Sequence, residues 1–238
     1  MGKAKKAALK SLPANWREIM WAKAAEPEWL RARPQLLPAL AVLWVTGCRP
    51  SEIEEGANVA WRNQLLVVEI AGTKCVDAGQ RQRGQPRRRY VFRTGIAEES
   101  SCPALATLRR RAMEAATGDI GRCLVSHDSD YLYNSIVALG RAAFPKMRTR
   151  VSPYCFRHQH ASDLKSDANI SLEEAAKAMG HLSDYSIGKY GHAVHGKKGG
   201  RIKALTVETA RPVKHSPKVD RLARFKDAHA KPRTHKLS

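Results

Sequence analysis

Residues Leu36 to Val45 read LLPALAVLWV, a run that is almost wholly apolar and is followed at once by Thr46-Gly47. A segment without a polar face suits a helix surrounded by the rest of the chain, and glycine just past the last apolar position is a common helix stop. Arg49, two residues beyond that glycine, is thereby expected at the mouth of the core.

Pro50-Ser51-Glu52 can open a further short helix, since proline is tolerated in a first turn. The β-branched run Gln64 to Ile70 reads as a strand, and strand character resumes from Arg89 to Phe92 after a turn-rich, basic stretch through Gly84 and Pro86. Helical patterns then dominate: Pro103 to Ala116, Tyr131 to Ala143, Tyr154 to Lys165, Leu172 to Met179 and Asp184 to Tyr190. The expected class is α+β and mostly α, a helical core with one small antiparallel β-sheet. Residues 1–30 read as a basic lead-in with a short helical pattern around Trp16 to Ala25, residues 31–195 as the domain, and residues 196–238 as a basic, flexible tail that solvates or touches DNA backbone.

The chain carries a formal charge of +20, with 42 Lys and Arg against 22 Asp and Glu. Such a surface attracts polyanions. No segment approaches the roughly 18 apolar residues that span a bilayer, so nucleic acid is the expected polyanion. The first ten residues, MGKAKKAALK, lack the apolar stretch and cleavage site of a secretion signal; the expected location is the cytoplasm, at the nucleoid. Five cysteines, Cys48, Cys75, Cys102, Cys123 and Cys155, stand singly, which argues for reduced thiols and against a disulfide framework or a zinc site.

Four separated segments carry chemistry: TGCRPSE around Arg49, AGTK ending at Lys74, SPYCFRHQH around Arg157, and MGHLSDYSIGKYGH with His181 and Tyr190. In this order and spacing they resemble the tyrosine recombinases, or phage-type integrases. That family shows T-G-x-R-x-x-E, a hairpin lysine about two dozen residues later, H-x-x-R-H, and L-G-H with a tyrosine nine residues after the histidine. The resemblance covers roughly residues 36–195. One departure stands out, Tyr154 where the family has the first histidine of H-x-x-R.

The residue types make chemical sense. Attack on a phosphodiester builds negative charge on its non-bridging oxygens, and Arg49 and Arg157 present planar, permanently charged forks for them. Read alone, Arg49 is equally an ordinary arginine paired with Glu52, and Arg157 a solvent-facing helical residue. Tyr190, a phenol of ordinary pKa near 10, needs such cations to act as a nucleophile; Tyr185 is its local rival. His181 donates to the phosphate or assists proton transfer, Lys74 is the candidate general acid for the leaving 5′ oxygen, and the Tyr154 hydroxyl can stand in for the missing imidazole as a donor. Arg81, Arg83, Arg87, Arg88 and Arg89 would press the hairpin onto DNA backbone, adding affinity rather than catalysis.

By resemblance, the tyrosine joins a 3′ phosphate and frees a 5′ hydroxyl, with no nucleotide cofactor or metal. The implied partners are double-stranded DNA, further copies of the chain in a tetramer on paired sites, and accessory DNA-bending or directionality factors; no membrane is implied. Fewer than about 40 residues precede the first core helix, so the family's N-terminal DNA clamp is expected to be missing, supplied by a partner, or dispensed with. The alternative reading is an impaired or truncated integrase-like protein that binds DNA as an accessory factor.

Overall fold

The computed structural model describes residues 9–76, 83–116, 120–196 and 203–219. At its centre is the apolar run. All eleven residues of α3, Leu36–Thr46, are buried, and Gly47 ends the helix at φ +58°, its N–H returning to Leu43 O. A side chain at Gly47 would also strike the ring of His160, so glycine is required both for the left-handed turn and for the close approach.

Short helices α1 at Trp16–Ala24 and α2 at Pro27–Ala32 lie before this one, and α4 at Pro50–Glu54 follows it. The sheet strands are β1 at Ala57–Arg62, β2 at Leu65–Ala71, β3 at Arg87–Arg93, β4 at Gly121–Val125 and β5 at Thr206–Thr209. Helices α5 at Ile96–Ser101 and α6 at Pro103–Glu114 lie between β3 and β4. After β4 come α7 at Ser129–Ala143, α8 at Pro153–Ser166 and α9 at Leu172–Ala178. The class is therefore α+β, with helices in the majority.

The sheet is antiparallel throughout, in the order β4-β1-β2-β3-β5. It extends beyond the two strands expected from residues 64–93. β1 escapes a reading by β-branched content because ANVAWR is mixed, yet Asn63 and Gln64 at φ 49° and 62° make the tight turn that matches strand twist in a hairpin. Burial alternates along β2 and β3, so Leu66, Val68 and Ile70 face inward opposite Phe92, Tyr90 and Arg88.

This register corrects one expectation. Arg88 does not point outward with its neighbours: it stands on the inner face, 1 % exposed, paired to the equally buried Glu52 at 2.6 Å. The alternation of a strand forces it there, since Tyr90 and Phe92 share its face. Arg87 and Arg89 point outward and pair with Glu69 at 3.7 Å and Glu208 at 3.1 Å.

Both ends of the described chain are packed onto the core, including the helix expected around Trp16 to Ala25. The lead-in contains α1, whose Trp16, Met20, Trp21 and Ala24 join the core. Trp16 meets Phe156 edge-on at 4.6 Å and donates to Gln159 Oε1 at 3.1 Å, while Arg17 pairs with Asp163 at 2.7 Å. At the other end, residues 203–219 are not a free arm: β5 pairs with β3 and covers what would otherwise be a sheet edge, Lys214 bridges to Ser183, and Val219 is buried. No helix among the described residues is long and apolar enough to cross a membrane.

Candidate active site

The left-handed turn at Gly47 delivers Arg49 to the N-terminus of α4, where Glu52 reaches back to it. One carboxylate oxygen accepts from the Arg49 N–H at 2.8 Å and the other from its guanidinium at 2.5 Å. Arg88 donates to the same carboxylate from behind. Burial by itself would raise the Glu52 pKa; Arg88, Arg49 and Arg157 outweigh it and hold the group at about 2. Glu52 is thus a fixed anion between two arginines, the inner one sealed in the core and the outer one facing the site.

Arg157, wholly buried on α8, ties two distant segments together. Its Nη1 donates to Gly47 O at 2.8 Å and its Nη2 to Met179 O at 2.7 Å. The guanidinium also lies 4.8 Å from the centre of the Tyr190 ring and 3.4 Å from His181 Nε2. Burial and the neighbouring charge of Arg49 depress the Arg157 pKa, with Tyr190 and Glu52 opposing.

His181 follows Gly180, which adopts φ +69° with the Arg88 guanidinium packed where a side chain would be. Burial first, then Arg157, Arg49 and Arg88, push the imidazole down to about 2, so it is neutral. Because a guanidinium only donates, the ring presents its lone pair to Arg157 at Nε2 and carries its hydrogen on Nδ1, a buried atom with no hydrogen-bond partner among the described residues.

Tyr190 ends the 3-10 turn Asp184–Lys189 and is half-buried. Its ring stacks on His181 at 5.1 Å and tilts against His158 at 5.5 Å. Burial would raise the phenol; the nearby charges of Arg157 and Arg49 outweigh it and lower the pKa. Tyr185, by contrast, is 46 % exposed, with Lys218 5.8 Å from its ring.

Four of the expected residues therefore converge: Arg49, Arg157, His181 and Tyr190. Tyr154 is half-buried one turn before Arg157 on α8. Lys74 is exposed in the turn after β2. The adjacent Thr73 hydroxyl lies 2.9 Å from that of Ser51, which brings the turn to the first turn of α4, beside Arg49. Of the hairpin arginines, Arg83, Arg87 and Arg89 are exposed or half-exposed, Arg88 is interior, and Arg81 lies outside the described residues.

Two participants, His158 and Lys165, were not singled out by sequence, and a third, Arg88, was named for another role. His158 accepts from the Gly191 N–H at 3.2 Å; its place directly after Arg157 in SPYCFRHQH was the available signal. Arg88 could have been recognised from strand alternation. Lys165, 6 % exposed on α8, donates to the carbonyls around Tyr190 and carries no local signal, because those carbonyls come from a separate segment. Among the described residues, no cluster of His, Cys, Asp and Glu could hold a metal ion, and the five cysteines are free thiols.

No protein-family model and no curated protein matches the sequence. Among solved structures, the chain is similar to one described as the crystal structure of XerA recombinase, with a TM-score of 0.45 and 16 % identity, over 76 % of this chain and 59 % of that one.

Proposed function

We propose that this chain breaks and rejoins DNA strands as a tyrosine-type site-specific recombinase or integrase, with Tyr190 as the nucleophile. The observation that carries the reading is the Tyr190 ring set 4.8 Å from the Arg157 guanidinium and stacked on His181 at 5.1 Å, where the charges of Arg157 and Arg49 lower the pKa of its phenol. A tyrosine with only a packing role has no need of two converging cations, whereas a phenol that must attack phosphorus near neutral pH does.

In this reading the Tyr190 hydroxyl gives up its proton to solvent as its oxygen forms a bond to phosphorus, the 5′ oxygen leaves, and the 3′ end remains on the enzyme as a phosphotyrosine. Arg49 and Arg157 stabilise the charge that develops on the non-bridging oxygens. Neutral His181, its Nε2 accepting from Arg157, steadies that guanidinium without adding charge, Tyr154 offers its hydroxyl, and Lys74 on its exposed turn protonates the leaving oxygen. Religation by a 5′ hydroxyl reverses each transfer, so no cofactor is consumed. The net charge of +20 supplies affinity for duplex DNA, with Arg83, Arg87 and Arg89 contributing at the sheet and hairpin. Assembly follows the family habit of a tetramer on paired sites, with accessory DNA-bending or directionality factors.

The test is a duplex suicide substrate nicked beside a candidate cleavage site, incubated with wild type or Tyr190→Phe and run on a denaturing gel. A protein–DNA adduct in wild type that disappears in Tyr190→Phe is the expected result. Salt-sensitive DNA binding without an adduct on any border fragment would instead favour a DNA-binding accessory protein.

A further inference from the structure

The Tyr190 ring is placed by the arginines and histidines around it, but its peptide is held separately. Tyr190 closes a 3-10 turn, its own N–H returning to Ile187 O, and the carbonyls that follow such an end have no donor within the turn. Lys165 aims its ammonium at that end, donating to Ile187 O at 3.3 Å, to Tyr190 O at 2.8 Å and to Gly191 O. An ammonium has three donors and no acceptor, and these three carbonyls match that set. A buried cation is costly unless it is compensated in this way, and a cation beside the last carbonyls of a helical turn also meets the negative end of its dipole.

Two more features of α8 hold the same peptide. His158 Nδ1 accepts from the Gly191 N–H at 3.2 Å. Gly191 packs so tightly that a side chain there would come within 2.0 Å of Ser162 Oγ. Arg157, facing the ring, and Lys165, gripping the peptide, lie eight residues apart on this helix, about 12 Å along its axis. A single rigid element therefore sets both where the ring sits and where its backbone begins.

We infer that Lys165 is the positioning residue of the nucleophile. Its ammonium pins the Tyr190 carbonyl together with that of Ile187 before it and that of Gly191 after it, and so fixes the direction in which the phenol leaves the main chain, toward Arg157 and Arg49. This inference rests on the reading of Tyr190 as nucleophile. A lysine that merely stabilised the fold would, on replacement, lower the folded fraction and leave the rate of folded molecules unchanged.

The experiment compares wild type, Lys165→Met, which keeps length and loses charge, and Lys165→Arg, which keeps charge. Three quantities are read: the single-turnover rate of adduct formation on the nicked suicide duplex with enzyme in excess, the Kd for that duplex, and amide hydrogen exchange across residues 187–191 of the free protein. Lys165→Met is expected to slow adduct formation about 10- to 100-fold, the scale of a small misplacement of a reacting group. Its Kd should stay within about 3-fold of wild type, since phosphate contacts elsewhere carry binding. Exchange should quicken in 187–191 and stay constant in α3 and the sheet, and Lys165→Arg should fall between the two. A wild-type adduct rate in Lys165→Met overturns the inference; if that variant does not fold, a wild-type rate in Lys165→Arg does so. If wild type gives no adduct while the segment still loosens in Lys165→Met, the failure belongs to the role of Tyr190, and the tether on its peptide stands.

Discussion

Arg88 and Glu52 meet at 2.6 Å in a setting where each side chain is 1 % exposed. The other oxygen of Glu52 takes Arg49 at 2.5 Å, so one carboxylate joins a strand of the sheet to an arginine of the site. Arg88 also packs over Gly180, next to His181. A residue that looks like one more cation in a basic run is the means by which the sheet fixes the loops that carry Arg49 and His181.

Glu52→Gln should therefore destabilise the protein by about 3–5 kcal/mol, because Arg88 would be left as an unpaired buried charge. Replacing both partners, Glu52→Leu with Arg88→Met, should recover much of the loss, since the uncompensated charge goes as well. Urea unfolding of wild type, single and double variants measures both; equal losses in the single and double variants would contradict this account.

Arg157→Lys keeps the charge and loses the fork. A lysine cannot reach Gly47 O and Met179 O together while covering the Tyr190 ring. Adduct formation should fall about 10²- to 10³-fold, with DNA affinity in a gel-shift titration little changed.

Stability should decline with mild acid. Burial, followed by Arg17, Arg157 and Arg88, holds His160 at about 3, against 6.5 for a free histidine, and His181 is depressed in the same sense. The unfolded chain then binds protons that the folded chain refuses, so this contribution is full above the unfolded pKa and drains away as pH falls toward the folded value. The urea midpoint should drop between about pH 7 and about pH 5, and His160→Gln should flatten part of that slope. A pH-independent midpoint in wild type would refute it.

Asp163→Asn should cost about 3–5 kcal/mol by leaving Arg17 as an unpaired buried cation. Thermal unfolding followed by circular dichroism reports the loss. An effect no larger than that of an exposed pair, such as Arg110 with Glu114 at 3.8 Å, would mean that α1 is held by its tryptophans alone.

What could be read in advance was local. The apolar run with its terminal glycine announced α3, and Thr46 to Glu52 announced the turn that carries Arg49. The segments around Arg157 and His181 supplied residue types whose chemistry fits together even before their distances are known. What escaped depends on pairing across the chain. β1 and β5 are short and mixed in composition, and they become strands only because β2 and β3 offer them partners. The interior place of Arg88 was encoded in the alternation with Tyr90 and Phe92, but charge drew attention away from period. Lys165 was beyond local reading, since nothing near it in sequence shows that Tyr190 O will lie 2.8 Å from its ammonium.

The packing of α1 has a consequence for how the molecule is made. Trp16 and Arg17 bond to Gln159 and Asp163, 143 and 146 residues further along. At ribosomal rates of about 5–20 residues per second, that separation corresponds to roughly 7–30 s of synthesis. Through that interval the first helix has its tryptophans and its arginine without their partners, and closing so long a loop before any contact rewards it makes for slow folding. Native docking of α1 is thus a late event in the life of the nascent chain, and until then its apolar face has no partner within the chain.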